Sequence, residues 1–152
     1  MSVMKKLAGL NLQLPQVAAP LASYVPAVRT GNLVYTSGQL PTVNGVLAAT
    51  GKVGETVSEE EARRCAQICI LNALAAVHTL TGNLDSVKKV VKVVGFVASA
   101  PGFTNQPAVI NGASDLLLEL FGPAGQHARS AVGVAELPKN APVEIELIVE
   151  TD

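Results

Sequence analysis

The chain has 152 residues, with eleven Lys and Arg against twelve Asp and Glu. A formal net charge of −1 leaves no global field to draw nucleic-acid phosphates or an anionic membrane to the surface. Apolar residues make up 49% of the sequence, aromatic residues 3% and charged residues 15%, so aliphatic side chains must fill the core and some apolar surface is expected to be buried against other copies.

The length predicts one domain over residues 1–152. The opening MSVMKKLAGLNLQLP sets two lysines before a weakly apolar stretch that Asn11, Gln13 and Pro15 interrupt, a poor signal peptide. Residues 23–30 and 33–39 read as strands around a Gly31-Asn32 turn. Residues 41–57, with Gly45, Gly51 and Gly54, read as a long loop with one further short strand.

Ser58-Glu59-Glu60-Glu61 has the form of a capping box and starts a helix. Cys65, Ile68, Leu71, Leu74, Ala75 and His78 recur at helical spacing until Gly82 stops it, about six turns on. Cys65 and Cys69 share one helical face, which fits two packed thiols rather than a disulfide framework or a CxxC motif. Reduced cysteines and the lack of any window near the ~18 apolar residues of a membrane span predict a cytoplasmic protein.

Valine-rich residues 87–99 predict a buried strand. Asn105-Gln106-Pro107 then opens a second helix running to Gly122. Residues 128–136 and 143–150 read as two strands joined through Leu137 to Pro142. The order β-β-(β)-α-β-α-β-β predicts an α+β fold, with two helices on one face of a mixed sheet and other subunits on the bare face.

His78 and His127 have no cysteine at ligand spacing, so no metal is expected. No GxGxxG or Walker pattern opens a helix, and neither histidine sits by a nucleophile motif. What remains is a polar set on apolar strands: Ser37, Arg129, Glu144 and Glu146. Period two places Glu144 and Glu146 on one face, opposite Val143, Ile145 and Leu147, and aligns Arg129 with the small residues Ala131 and Gly133. A guanidinium with room in front of it suits a carboxylate. A structural ion pair between a strand arginine and a strand glutamate fits the same residues.

At these residues the chain resembles the Rid (YjgF-type) superfamily, often labelled endoribonuclease L-PSP. Ala128-Arg129-Ser130-Ala131-Val132, Ala135, Leu137-Pro138-Lys139 and Val143-Glu144-Ile145-Glu146 are similar to the family signature. Thr36-Ser37-Gly38-Gln39-Leu40-Pro41 looks like its second-strand motif, and Asn111 falls where the family has an asparagine opening its second helix.

The resemblance implies a chorismate-mutase-like fold, a homotrimer with a cleft at each subunit interface, and hydrolysis of reactive 2-imino or enamino acids to 2-oxo acids and ammonia. Arg129 would hold the substrate carboxylate and Glu144 would place a water, with Tyr24, Ser37, Gly38, Asn111 and Ala131 lining the pocket. No cofactor is implied. A carboxylate-binding trimer without turnover and, less favoured by the charge, an endoribonuclease are the other readings. The sequence departs from the family's Gly-Pro-Tyr at Ala22-Ser23-Tyr24, and Ala131 stands where many deaminases carry a reactive cysteine. It is also longer, in residues 41–57 and 122–127.

A hairpin turning at 138–142 would set Arg129 and Glu144 about six residues apart along one ladder, roughly 20 Å. The two are therefore expected to meet only across a subunit boundary.

Overall fold

The computed structural model describes residues 1–20 and 22–152. Its main sheet has five strands: β1 (Ala27–Thr30), β2 (Leu33–Thr36), β5 (Val87–Ala98), β6 (Ala128–Val134) and β7 (Val143–Thr151), in the order β1-β2-β7-β5-β6. Two further strands, β3 (Thr42–Val43) and β4 (Val46–Leu47), form a small separate hairpin within the expected long loop. Helices α2 (Glu59–Thr81) and α3 (Gln106–Phe121) pack on one face of the main sheet, as the sequence predicts.

The ends of α2 follow from local chemistry. The Ser58 hydroxyl accepts a hydrogen bond from the Glu61 amide at 3.1 Å, and three glutamates occupy the first turn, where the helix dipole favours negative charge. Gly82 closes the helix in a left-handed conformation at φ 69°, its amide donating to the His78 carbonyl. Inward, Ile70, Leu74, Ile110 and Leu117 meet Val93, Ile145, Leu147 and Val149 with no solvent exposure. Aliphatic residues thus fill the core that the composition assigned to them.

Several expectations are corrected. The strand expected at 23–30 is confined to Ala27–Thr30, and the one at 33–39 ends at Thr36, beyond which Gln39 makes an isolated bridge to Ile145. The strand expected at 128–136 ends at Val134. A third helix, α1 (Val3–Gly9), occupies the weakly apolar opening. Ser2 caps it, Val3 and Leu7 are buried, and the Val3 amide donates to Asp85 Oδ1 at 2.8 Å.

The largest correction concerns β6 and β7, which do not pair. β5 lies between them, parallel to β6 and antiparallel to β7. Parallel strands need a long crossover, and α3 supplies it between β5 and β6. The link to β7 then passes over the end of β5: the Ala98 amide donates to the Pro142 carbonyl at 2.9 Å and the Ser99 amide to the Val134 carbonyl at 3.0 Å. Positive φ at Lys139 and Asn140, 58° and 62°, turns the backbone there. β6 and β7, neighbours in sequence, are therefore not neighbours in the sheet.

Candidate active site

Register fixes which way each site residue faces. Val93 on β5 lies level with Arg129 and Leu147, and Gly95 with Ala131 and Ile145. A Cβ at Gly95 would stand 2.4 Å from Ile110 Cδ1 of α3, so this row faces the helices. Arg129, Ala131 and Gly133 share that face. Phe96 lies level with Val132 and Glu144, and Val94 with Glu146, so both glutamates project from the open face.

Arg129 and Glu144 are thus on opposite faces of the sheet. Their backbones lie two strands and three residues apart, about 14 Å at ~4.8 Å per strand and ~3.3 Å per residue. This replaces the separation expected from a hairpin. One chain does not present both groups to one small molecule.

On the helix face, at the β6 edge, Arg129 Nη1 donates to Asn111 Oδ1 at 2.7 Å and to Ser114 Oγ at 3.2 Å, and Nη2 donates to the Pro107 carbonyl at 3.4 Å. The ion pairs among the described residues all engage other groups, so the structural ion pair that the strand residues also suggested is not formed. Three of the five guanidinium hydrogens have acceptors among the described residues, and the Nε–H and one Nη2 hydrogen have none there. Asn111 and Ala131, expected in the pocket, belong to this cluster, with Ala131 packed against the core beside Arg129.

On the open face, Glu144 lies against Gly38. A Cβ at Gly38 would fall 2.1 Å from Glu144 Oε2, so only glycine lets the carboxylate lie where it does. Burial, and next the charge of Glu146, raises the Glu144 carboxyl above its ordinary value of 4.5. That suits a group that both takes and gives a proton. Tyr24, Pro26, Gly38 and Leu40, with Ala19 and Pro20, line an apolar hollow of about 50 Å³. Ser37, next to Gly38, donates its hydroxyl hydrogen to the Val25 carbonyl at 2.6 Å. The seven expected residues therefore fall into two groups: Arg129, Asn111 and Ala131 on the helix face, and Glu144 against Gly38 on the open face, with Ser37 next to Gly38 in the chain and Tyr24 on the hollow that Gly38 also lines.

Two residues around Arg129 were not expected there. Ser114 Oγ, besides receiving Arg129 Nη1, lies 2.9 Å from His127 Nε2, and His127 Nδ1 lies 2.6 Å from the Gly125 carbonyl. The signal was faint but present: Ser114 follows Asn111 by three on a helix, and His127 precedes Arg129 by two. Both cysteines are free and buried. Burial pushes the Cys65 thiol up to about 11, with a further rise from the charge of Glu61, and burial raises Cys69 still more strongly.

A mixed sheet with two long helices on one face, an edge-strand arginine bonded to the crossover helix and a glutamate packed on glycine together define an α+β protein of the chorismate-mutase-like class. The family model described as "YjgF/chorismate_mutase-like, putative endoribonuclease" matches residues 4–151, and the chain belongs to that family. It is 44% identical over 142 residues to protein TCP17 of Trypanosoma cruzi, covering 93% of this chain and 89% of that one. It is 36% identical to a 2-iminobutanoate/2-iminopropanoate deaminase of Dermatophagoides farinae, covering 89% of this chain and 91% of that one. The crystal structure of Atu1372 from Agrobacterium tumefaciens, a protein of unknown function, superposes with a TM-score of 0.92 at 48% identity, covering 99% of this chain and 92% of that one.

Proposed function

We propose that this protein hydrolyses small 2-imino acids to 2-oxo acids and ammonia, in clefts where one copy supplies Arg129 and its neighbour supplies Glu144. The observation that carries this reading is the guanidinium of Arg129, half-buried and without an ion pair among the described residues. Its Nε–H and one Nη2 hydrogen have no acceptor among the described residues, and a carboxylate takes two such hydrogens. The deaminase relative from Dermatophagoides farinae supports the imine over other carboxylates.

A trimer is the assembly that completes the cleft. The open face carries Val28, Tyr35 and Val132 at 52%, 38% and 44% exposure, a spread of apolar surface across three strands that a further copy would cover. It also carries Glu144. A neighbour seated on that face brings its β6 edge, and with it Arg129, toward this glutamate.

The chemistry asked of the cleft is modest. Arg129 grips the carboxylate, Glu144 takes a proton from a water aimed at the imine carbon, and a C–O bond forms there. Return of that proton to nitrogen gives the carbinolamine; Glu144 then takes the hydroxyl proton and passes it to the amine, so that the C–N bond breaks as the C=O bond forms, releasing ammonia and leaving the 2-oxo acid. The small apolar hollow beside Gly38 suits a methyl or ethyl side chain.

The test generates imines in place with an amino-acid oxidase and follows their decay with and without the purified protein. Faster decay of 2-iminopropanoate and 2-iminobutanoate is expected. No acceleration across a panel of side chains would leave a carboxylate-binding assembly without turnover.

A further inference from the structure

His127 and Ser114 stand behind Arg129 in a chain of hydrogen bonds whose direction follows from chemistry. A carbonyl only accepts, so His127 Nδ1, 2.6 Å from the Gly125 carbonyl, carries the hydrogen. In the neutral ring Nε2 then accepts, and Ser114, 2.9 Å away, donates its hydroxyl hydrogen to it. That turns the lone pairs of Ser114 toward Arg129 Nη1, which donates to them at 3.2 Å. Asn111 Oδ1 takes the other Nη1 hydrogen at 2.7 Å, so both hydrogens of that nitrogen are held.

The base of the chain is held in place too. A Cβ at Gly125 would stand 2.4 Å from the Leu117 carbonyl oxygen, so glycine is what lets this turn close onto α3 and aim its carbonyl at the ring. Ser114 is 7% exposed, too enclosed to be offered to a substrate as a nucleophile. Its place between a ring nitrogen and a guanidinium is that of a relay.

We propose that His127 and Ser114 are positioning residues for carboxylate recognition: the ring, fixed by Gly125, orients the Ser114 hydroxyl, which fixes the guanidinium plane of Arg129 and leaves its Nε edge to the ligand. The carboxylate itself rests on the function proposed above, whereas the relay is a property of the chain and is open to measurement without it.

Two arms separate them. Nitrogen-15 spectra of the uncomplexed protein should show His127 as the Nδ1–H tautomer and slow rotation of the Arg129 guanidinium. In Ser114→Ala and His127→Leu that rotation should quicken. An Nε2–H tautomer, or rotation unchanged in both variants, overturns the relay whatever the protein binds. The second arm titrates 2-oxobutanoate and measures imine hydrolysis. Ser114→Ala and His127→Leu should weaken binding about tenfold and raise KM by a similar factor with kcat little changed, as loss of uniform binding does. His127→Gln, whose amide reaches the Nε2 position, should recover most of the affinity, while His127→Asn, which reaches only the Nδ1 position, should not. Full affinity in His127→Leu, or equal recovery by Gln and Asn, contradicts the proposal. A wild-type protein that neither binds 2-oxobutanoate nor hydrolyses imines would refute the proposed function, with the spectra still deciding the relay.

Discussion

The carboxyl of Glu144 binds its proton more tightly in the folded chain than in an unfolded one, because burial and the neighbouring Glu146 disfavour its charge. The folded state therefore holds more protons than the unfolded state just above pH 4.5, and stability contributed by this residue falls as pH rises through that window. In an Arg129→Ala background, where no neighbour's guanidinium faces the carboxyl, Glu144→Gln should then raise the melting temperature near neutral pH and lose this advantage in acid. Thermal melts of both proteins from pH 4 to pH 8 check the sign, and an advantage that grows toward acid contradicts it. At Arg129 the expectation concerns shape. Arg129→Lys should lose at least ~2 kcal/mol of binding or turnover, nearly as much as Arg129→Ala, because lysine keeps the charge and loses the planar fork. Titration of 2-oxobutanoate into both variants reads this directly.

The arginine and the paired glutamates were legible because a charged residue stands out on an aliphatic strand. Ser114 and His127 were not. A serine within a helix and a histidine in a loop are ordinary residues, and only the fold brings them within 2.9 Å of each other.

At the scale of elements, period and capping carried the reading further than pairing did. Ser58 and Gly82 bound α2 as expected, and Ser58→Ala should cost about 1 kcal/mol, seen as a small drop in melting temperature without loss of site chemistry. The short link rich in turn residues between β6 and β7 predicts a hairpin that the fold does not form. Alternation of side chains tells which face a residue occupies on its own strand. It does not tell which strand lies alongside, and α3 carries β6 to the far edge of β5. Residues 41–57 are expected to hold one short strand and form two, β3 and β4, because a glycine-rich stretch with little periodicity conceals the pairing.

The close approach of Glu144 to Gly38 yields a test of its own. In Gly38→Ala the new methyl meets the end of a flexible side chain rather than backbone, so the carboxylate should swing aside while the fold persists. Circular dichroism and melting temperature should change little and imine hydrolysis should fall at least tenfold. A variant of full activity would show that the carboxylate has no need of its place against Gly38.

For the whole molecule, the proposed function requires assembly, because Arg129 and Glu144 lie on opposite faces of the sheet. Three copies of the 15.6 kDa chain give about 47 kDa, and light scattering at micromolar concentration should return that mass. A monomer would leave the two apart. Composition pointed toward self-association through its low charge and many aliphatic residues, and alternation along the last strand set Glu144 and Glu146 away from its apolar face; that Arg129 lies on the opposite face emerges only once strand order is known.

The most direct measurement mixes two dead proteins. Arg129→Ala chains keep Glu144, Glu144→Ala chains keep Arg129, and each alone should be nearly inactive. Co-refolded in equal amounts with subunit exchange verified by mass, random assembly gives about a quarter of the interfaces both intact residues. Recovery of roughly that share of wild-type imine hydrolysis is expected. A mixture no more active than its parents would contradict a site built from Arg129 of one copy and Glu144 of the next.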